Sequence, residues 1–239
     1  MNNKFNTLKP YTTSQSCYTF PVYFPPQYQD VQPGMEYVMK PRPVFDNSNY
    51  RGSGKLKDKV AIITGGDSGI GRAVAVYYAK EGAKLVLVYY NEHKDANDTK
   101  LYIESLGGQV KLLHGDLKDP DFSNFIVNET LNCYGKIDIL VNNAGVQYPA
   151  KSLLEISNEQ FDYTMQSNIY SMFYLTKAVL PYLKSGASII NTTSITTFKG
   201  EGDLIDYVSS KGAIVGFTRS LATNLVDKNI RVNAVAPGS

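Results

Sequence analysis

The chain has 239 residues, 43% of them hydrophobic, with 24 Lys+Arg against 22 Asp+Glu; this suits one or two domains, and the even charge gives no reason to expect nucleic acid or an anionic membrane as partner. No stretch reaches the ~18 apolar residues of a membrane span, and Lys4 and Lys9 precede no apolar run, so a secretory signal is not expected. The two cysteines, Cys17 and Cys133, lie in different regions, which points to a reducing compartment and a soluble, cytoplasmic protein.

Residues 1–54 form a Pro/Tyr-rich arm. Pro10, Pro21, Pro25, Pro26, Pro33, Pro41 and Pro43 alternate with Tyr11, Tyr18, Tyr23, Tyr28, Tyr37 and Tyr50. Proline favours extended and turn structure, and the aromatics argue that part of the arm packs on a surface rather than moving freely. Gly52-Ser53-Gly54 reads as a hinge into the core, residues 55–239. From Lys59 strand, turn and helix alternate. The expected strands are Val60–Thr64, Leu85–Tyr89, Val110–His114, Ile137–Asn142, Ser188–Thr193 and Arg231–Val235. Ile70, Ala73, Val74 and Tyr77 follow a helical period. Ser157-x-x-Gln160 reads as a capping box opening a long helix through about Leu183. The alternation predicts an α/β fold with a doubly wound parallel sheet.

Three groups of residues carry chemistry. The first strand runs into Thr64-Gly65-Gly66-Asp67-Ser68-Gly69-Ile70-Gly71, a glycine turn opening a helix. Such a turn lets the backbone approach a pyrophosphate, and the helix N-terminus offers free N–H groups. Structural glycines at a strand–helix corner are the competing reading. Asn142-Asn143-Ala144-Gly145 ends the fourth strand at the carboxyl edge of the sheet, where ligands bind. Tyr207 and Lys211 lie four apart, thirteen residues after Ser194. On a helix they share a face, and an ammonium beside a phenol suits the tyrosine to act as general acid or base. Taken singly, Tyr207 also reads as a half-buried aromatic, Lys211 as a solvated helix charge and Ser194 as strand-end turn chemistry. Jointly with the glycine turn they point to a nicotinamide-dependent oxidoreductase. His93 and His114 have no matching ligand cluster, so no metal site is expected.

Thr64–Gly71, Asn142–Gly145, Ser194, Tyr207-x-x-x-Lys211 and Pro237-Gly238 together resemble the short-chain dehydrogenase/reductase family, in its order and spacing, from about Lys55 to Ser239. The arm and the Gly-Ser-Gly-Lys-Leu lead resemble a bacterial subgroup of general-stress and sugar- or polyol-dehydrogenase-like oxidoreductases. The resemblance implies a Rossmann fold in which Gly65, Gly69 and Gly71 shape the phosphate turn with Ser68 and Ile70. It implies Asp116 and Leu117 against the adenine, Asn142, Ala144 and Gly145 beside the ribose and nicotinamide, and Pro237-Gly238 at the nicotinamide end. It further implies Tyr207 as acid/base, Lys211 on both phenol and ribose, Ser194 on the substrate oxygen and Asn168 in a water relay to the lysine. The substrate would be a small carbonyl compound or alcohol. A homo-oligomer is implied, through a helix face carrying Gly212 and Gly216.

The cofactor expected is NAD or NADP. Tyr89-Tyr90-Asn91 at the end of the second strand offers no carboxylate to repel a 2′-phosphate and no clear arginine to bind one, giving a slight lean to NADP with dual use. Family members usually continue for roughly 50 more residues, room for another crossover and strand. The sequence therefore predicts that the last strand, last helix and substrate loop are missing, with a catalytically silent nucleotide-binding or assembly remnant as the alternative to an enzyme.

Overall fold

A computed structural model describes residues 25–238; the expectations for Cys17, for the tyrosines and prolines before Pro25 and for Ser239 lie outside the described residues. Six parallel strands, β1 (Val60–Thr64), β2 (Lys84–Tyr89), β3 (Gln109–His114), β4 (Ile137–Asn142), β5 (Leu183–Thr192) and β6 (Arg231–Val235), stand in the order β3-β2-β1-β4-β5-β6. The order reverses between β1 and β4, so the crevice at their carboxyl ends is a topological switch point. All five β1 residues are buried, as expected of a central parallel strand covered on both faces.

On one face Ile62, Leu140 and Ile189 pack against α3 (Pro120–Tyr134), α5 (Ser171–Val179) and α7 (Ile205–Leu225), through Ile126, Leu175 and Leu225. On the other, Ala61, Ile63, Leu85 and Leu87 meet α1 (Gly69–Lys80) and α2 (His93–Ser105), through Ala75, Val76 and Ile103. The buried stripe of α1 is therefore Arg72, Ala75 and Val76 and not the expected Ile70, Ala73, Val74 and Tyr77. Ile70 is exposed and lines a cavity. Tyr77 turns outward beneath the arm, its ring 4.9 Å from that of Tyr50.

The arm explains why α1 has two covered faces. Phe45 packs edge-on against Tyr102 of α2 at 5.1 Å, with the Arg72 guanidinium 4.9 Å above its ring. Lys80 pairs with Asp46, which also accepts from the Tyr102 hydroxyl at 2.6 Å. Glu81 accepts from the backbone N–H of Ser53 at 3.0 Å and of Lys55 at 2.9 Å, and from the Tyr50 hydroxyl. A Cβ on Gly52 would lie 1.8 Å from the Lys80 carbonyl oxygen. The Gly52–Gly54 segment is thus pinned to the end of α1 and is not an open hinge.

The long helix expected after Ser157 is also corrected. Ser157 Oγ accepts from Gln160 N–H at 3.1 Å, but the Gln160 amide reaches Asp206 at 3.1 Å instead of returning to the cap. The helix runs as α4 (Asn158–Met165), a π turn (Gln166–Tyr170), α5 and a 3₁₀ turn (Leu180–Tyr182). Strand β5 begins at Leu183, five residues before the expected Ser188, because Leu183 already pairs with Ile137 across a register shift at Ile137/Ile139. At the far edge Arg231, Asn233 and Val235 of β6 are exposed. Among the described residues no helix is long and apolar enough to cross a membrane.

Candidate functional site

A cavity of about 440 Å³ opens at the switch point, within the usual range for small-molecule sites. The glycine turn forms its floor. Thr64 Oγ1 accepts from the N–H groups of Asn143 at 2.9 Å and Ala144 at 3.0 Å, locking the turn after β4 against the turn after β1. Gly71 is required by contact: a Cβ there would lie 1.8 Å from the Gly65 carbonyl oxygen. Gly69 is required by conformation, with φ +51° and open space where a Cβ would go. As the first residues of α1, Ile70 and Gly71 have N–H groups without an intrahelical partner.

Gly65, Ser68, Gly69, Ile70, Asp116, Leu117, Ala144, Gly145, Tyr207 and Lys211 all line this cavity. Asn142 does not. It is the last residue of β4 and points into the core, where its amide donates to Thr176 at 3.0 Å and Asn191 at 2.9 Å. The next residue, Asn143, lines the cavity, and its amide donates to the Thr64 carbonyl at 3.1 Å. Strand alternation separates the two, and the sequence does not reveal which one ends the pleat. Gly71, Asn168, Ser194, Pro237 and Gly238 stand behind the wall. Pro237 accepts from Ile195 N–H at 3.0 Å, placing the Pro237-Gly238 turn beside the loop that follows β5.

Helix α7 presents Tyr207 and Lys211 on one face, with Lys211 Nζ 5.5 Å from the phenol centroid. Lys211 is 3% exposed, and burial pushes its ammonium down to about 8. It donates to the Thr192 carbonyl at 3.0 Å. Gly145 fits between it and Asn168: a Cβ would lie 3.2 Å from Lys211 Nζ and 3.1 Å from Asn168 Oδ1. Asn168 sits within the π turn, a distortion frequent at functional sites. Its side chain accepts from Val146 N–H at 2.8 Å and donates to the Val146 carbonyl and Ser210 Oγ, both at 2.9 Å. Ser194 Oγ accepts from Thr196 N–H at 3.2 Å and from Thr196 Oγ1 at 2.9 Å.

Two residues absent from the sequence reading complete the site. Asp206, fully buried in the first turn of α7, accepts from Tyr207 N–H at 2.7 Å and from the Thr164 hydroxyl at 2.8 Å, tying α7 to α4. Its signal was an acidic residue in a helix first turn. Glu92 lines the cavity, and its Oε1 is buried without a hydrogen-bond partner among the described residues. With Asp67 it brings carboxylates to the corner that Tyr89–Asn91 implied was free of them. His93 and His114 meet there too, with ring centroids 5.2 Å apart, and His93 Nδ1 is 3.0 Å from the Tyr89 hydroxyl.

The residues fit a dinucleotide: a glycine floor, unpaired N–H groups at a helix start, and an orphan carboxylate oxygen facing the wall where ribose hydroxyls would donate.

A family model described as short chain dehydrogenase matches residues 59–239. General stress protein 39 of Bacillus subtilis is 52% identical over 219 residues, 92% of this chain and 77% of that protein. NADPH-dependent aldehyde reductase 1, chloroplastic, of Arabidopsis thaliana is 44% identical over 218 residues, 89% of this chain and 76% of that protein. The solved structure of a short chain dehydrogenase from Burkholderia cenocepacia in complex with NADP is similar at TM-score 0.74 and 32% identity, covering 77% of this chain and 75% of that one. The chain spans about three quarters of the length of these relatives. With a match that begins one residue before β1 and takes in every strand of the sheet, the chain belongs to the short-chain dehydrogenase/reductase family.

Proposed function

We propose that the chain is an NAD(P)-dependent oxidoreductase that moves a hydride between nicotinamide and a carbonyl or secondary alcohol, with Tyr207 as general acid/base. The observation that carries this reading is the Tyr207–Lys211 pair on the cavity wall, with the lysine buried and 5.5 Å from the phenol centroid. When bound, the nicotinamide supplies or accepts the hydride. Tyr207 gives its hydroxyl proton to the substrate oxygen in reduction and takes the alcohol proton in oxidation. Lys211 stabilises the phenolate left behind. Ser194 Oγ accepts two hydrogen bonds from Thr196, so its own proton is free to donate to the substrate oxygen as charge develops. Asn168 holds the backbone at Val146 and so fixes Gly145 against Lys211; a water relay past Asn168 would return protons to the site. The relative named for NADPH and the neighbour bound to NADP support the lean to NADP, whereas the carboxylates at the adenosine end oppose it. Aldehydes and sugar alcohols are the substrates to test first. The exposed side of α5 and α7, with Phe173, Gly212 and Gly216, is the face assigned to self-association.

The test is Tyr207→Phe. Turnover of an aldehyde with NADH or NADPH should fall at least 100-fold, while dinucleotide affinity by fluorescence titration stays within threefold. Residual activity within threefold of the parent, a loss under ~1 kcal/mol, would remove Tyr207 from the mechanism. Binding without turnover in the parent itself would replace the enzyme reading with that of a nucleotide-binding remnant.

A further inference from the structure

We propose that the N-terminal arm, through Glu36, sets the choice of dinucleotide, making the adenosine-ribose corner favour NAD(H) over the 2′-phosphorylated NADP(H). The proposal rests on the dinucleotide reading of the cavity. The arm forms part of that cavity: Gln32 and Pro33 line it beside Ser68 and Gly69. A little further along, Glu36 is buried at 4% exposure. Its Oε2 accepts from Gly69 N–H, the first amide of α1, at 2.6 Å. Its Oε1 forms an ion pair with Arg72.

A helix N-terminus beside a guanidinium is ordinarily an anion site. Here a carboxylate of the chain itself fills it, delivered from 33 residues upstream. The other Arg72 donors are also engaged: Nε to the Asp67 carbonyl at 3.1 Å and Thr99 Oγ1 at 2.5 Å, and Nη2 to the Asp95 carbonyl at 3.0 Å. The remaining cation on the cavity wall, Lys118, is held by Asp116 at 2.8 Å and lies 4.4 Å over the Tyr163 ring. A 2′-phosphate arriving at this corner would find its natural partners occupied.

It would also meet like charge. Asp67 and Glu92 line the same corner. Burial, offset in part by Ser68, and the nearby Glu92 and Asp95 carboxylates push the Asp67 carboxyl up to about 6, which still leaves it mostly ionised at neutral pH. Glu92 Oε1 lacks a donor among the described residues. A ribose hydroxyl supplies a donor, whereas a phosphate supplies only acceptors and negative charge. The selectivity element therefore comes from the arm, outside the sheet and its helices, and acts by withholding Arg72.

The experiment titrates the parent, Glu36→Gln and Glu92→Gln with NADH and with NADPH, following nicotinamide fluorescence, after circular dichroism has confirmed that each variant is folded. The parent should bind NADH at least tenfold more tightly than NADPH. Glu36→Gln should shrink that ratio at least fivefold, chiefly by tightening NADPH. Glu92→Gln should shrink it by weakening NADH, and it carries the test alone if Glu36→Gln does not fold. A parent ratio within threefold, or a ratio unmoved in the folded variants, overturns the proposal while leaving the cofactor reading intact. Failure of both dinucleotides to bind the parent overturns the cofactor reading and the proposal together.

Discussion

Lys211→Met should make the protein more stable at neutral pH while abolishing turnover. The lysine is 3% exposed and its ammonium is pushed down to about 8 from 10.5 by burial. Between those values the unfolded chain binds the proton and the folded chain does not, so wild-type stability rises with pH through that window. Below about 8 the penalty is fully present; at pH 7 it amounts to ~3 kcal/mol, since each pH unit between the two values is worth about 1.4. Methionine fills similar space without the charge. It forfeits the hydrogen bond to the Thr192 carbonyl, worth about 1 kcal/mol. The variant should therefore gain ~2 kcal/mol at pH 7 and almost nothing at pH 9.5, where the wild-type penalty has shrunk to about 1 kcal/mol. Urea melts of both proteins at the two pH values, without dinucleotide, measure the difference. A variant less stable than wild type at pH 7, with a gap that does not change with pH, would show that Lys211 is not a buried charge held at a cost to the fold.

The two glycines of the turn should respond differently to alanine. Gly71→Ala drives a Cβ to 1.8 Å from a backbone oxygen and should abolish dinucleotide binding and cost at least ~3 kcal/mol in a urea melt; Gly69→Ala has room and should cost only the ~1–2 kcal/mol of a left-handed residue. Equal losses would mean that the turn is misplaced. Glu81 is held down at about 2, first by the Tyr50 hydroxyl and then by the Lys55 N–H, against an ordinary 4.5. Its support of the arm is complete above about 4.5 and is lost as pH falls through about 2. Amide exchange at Ser53 and Lys55, corrected for intrinsic rates, should speed up over that range in wild type and should already be fast at pH 6 in Glu81→Ala.

Much of the fold was legible because the central strands are short apolar runs between turns. The bounds of β1, β4 and β6 coincide with the sequence pattern. The start of β5 does not, because Lys184, Ser185 and Gly186 carry no strand signal and their place is set by pairing with β4. For α1 the period identified an apolar stripe that the arm covers, while Ala75 and Val76 face the sheet; a helix covered on both sides has two such stripes. The aromatic content of the arm implied packing, but nothing local in Glu36 points to Gly69 or Arg72. Tyr207 and Lys211 were readable because four residues on a helix fix a shared face. Asn143, Asp206 and Glu92 act through partners remote in sequence.

The π turn has a consequence beyond the position of Asn168. Its ring holds one residue more than an α turn. Removing a residue from Gln166–Tyr170 would restore regular winding, but everything downstream would turn by ~100° about the helix axis. Met172, Leu175 and Val179, all buried in α5, would swing away from the sheet, and exposed Phe173 would swing toward it. The extra residue works as a ratchet: it could enter by a single insertion, but it can leave only if the second half of the helix is rewritten along with it.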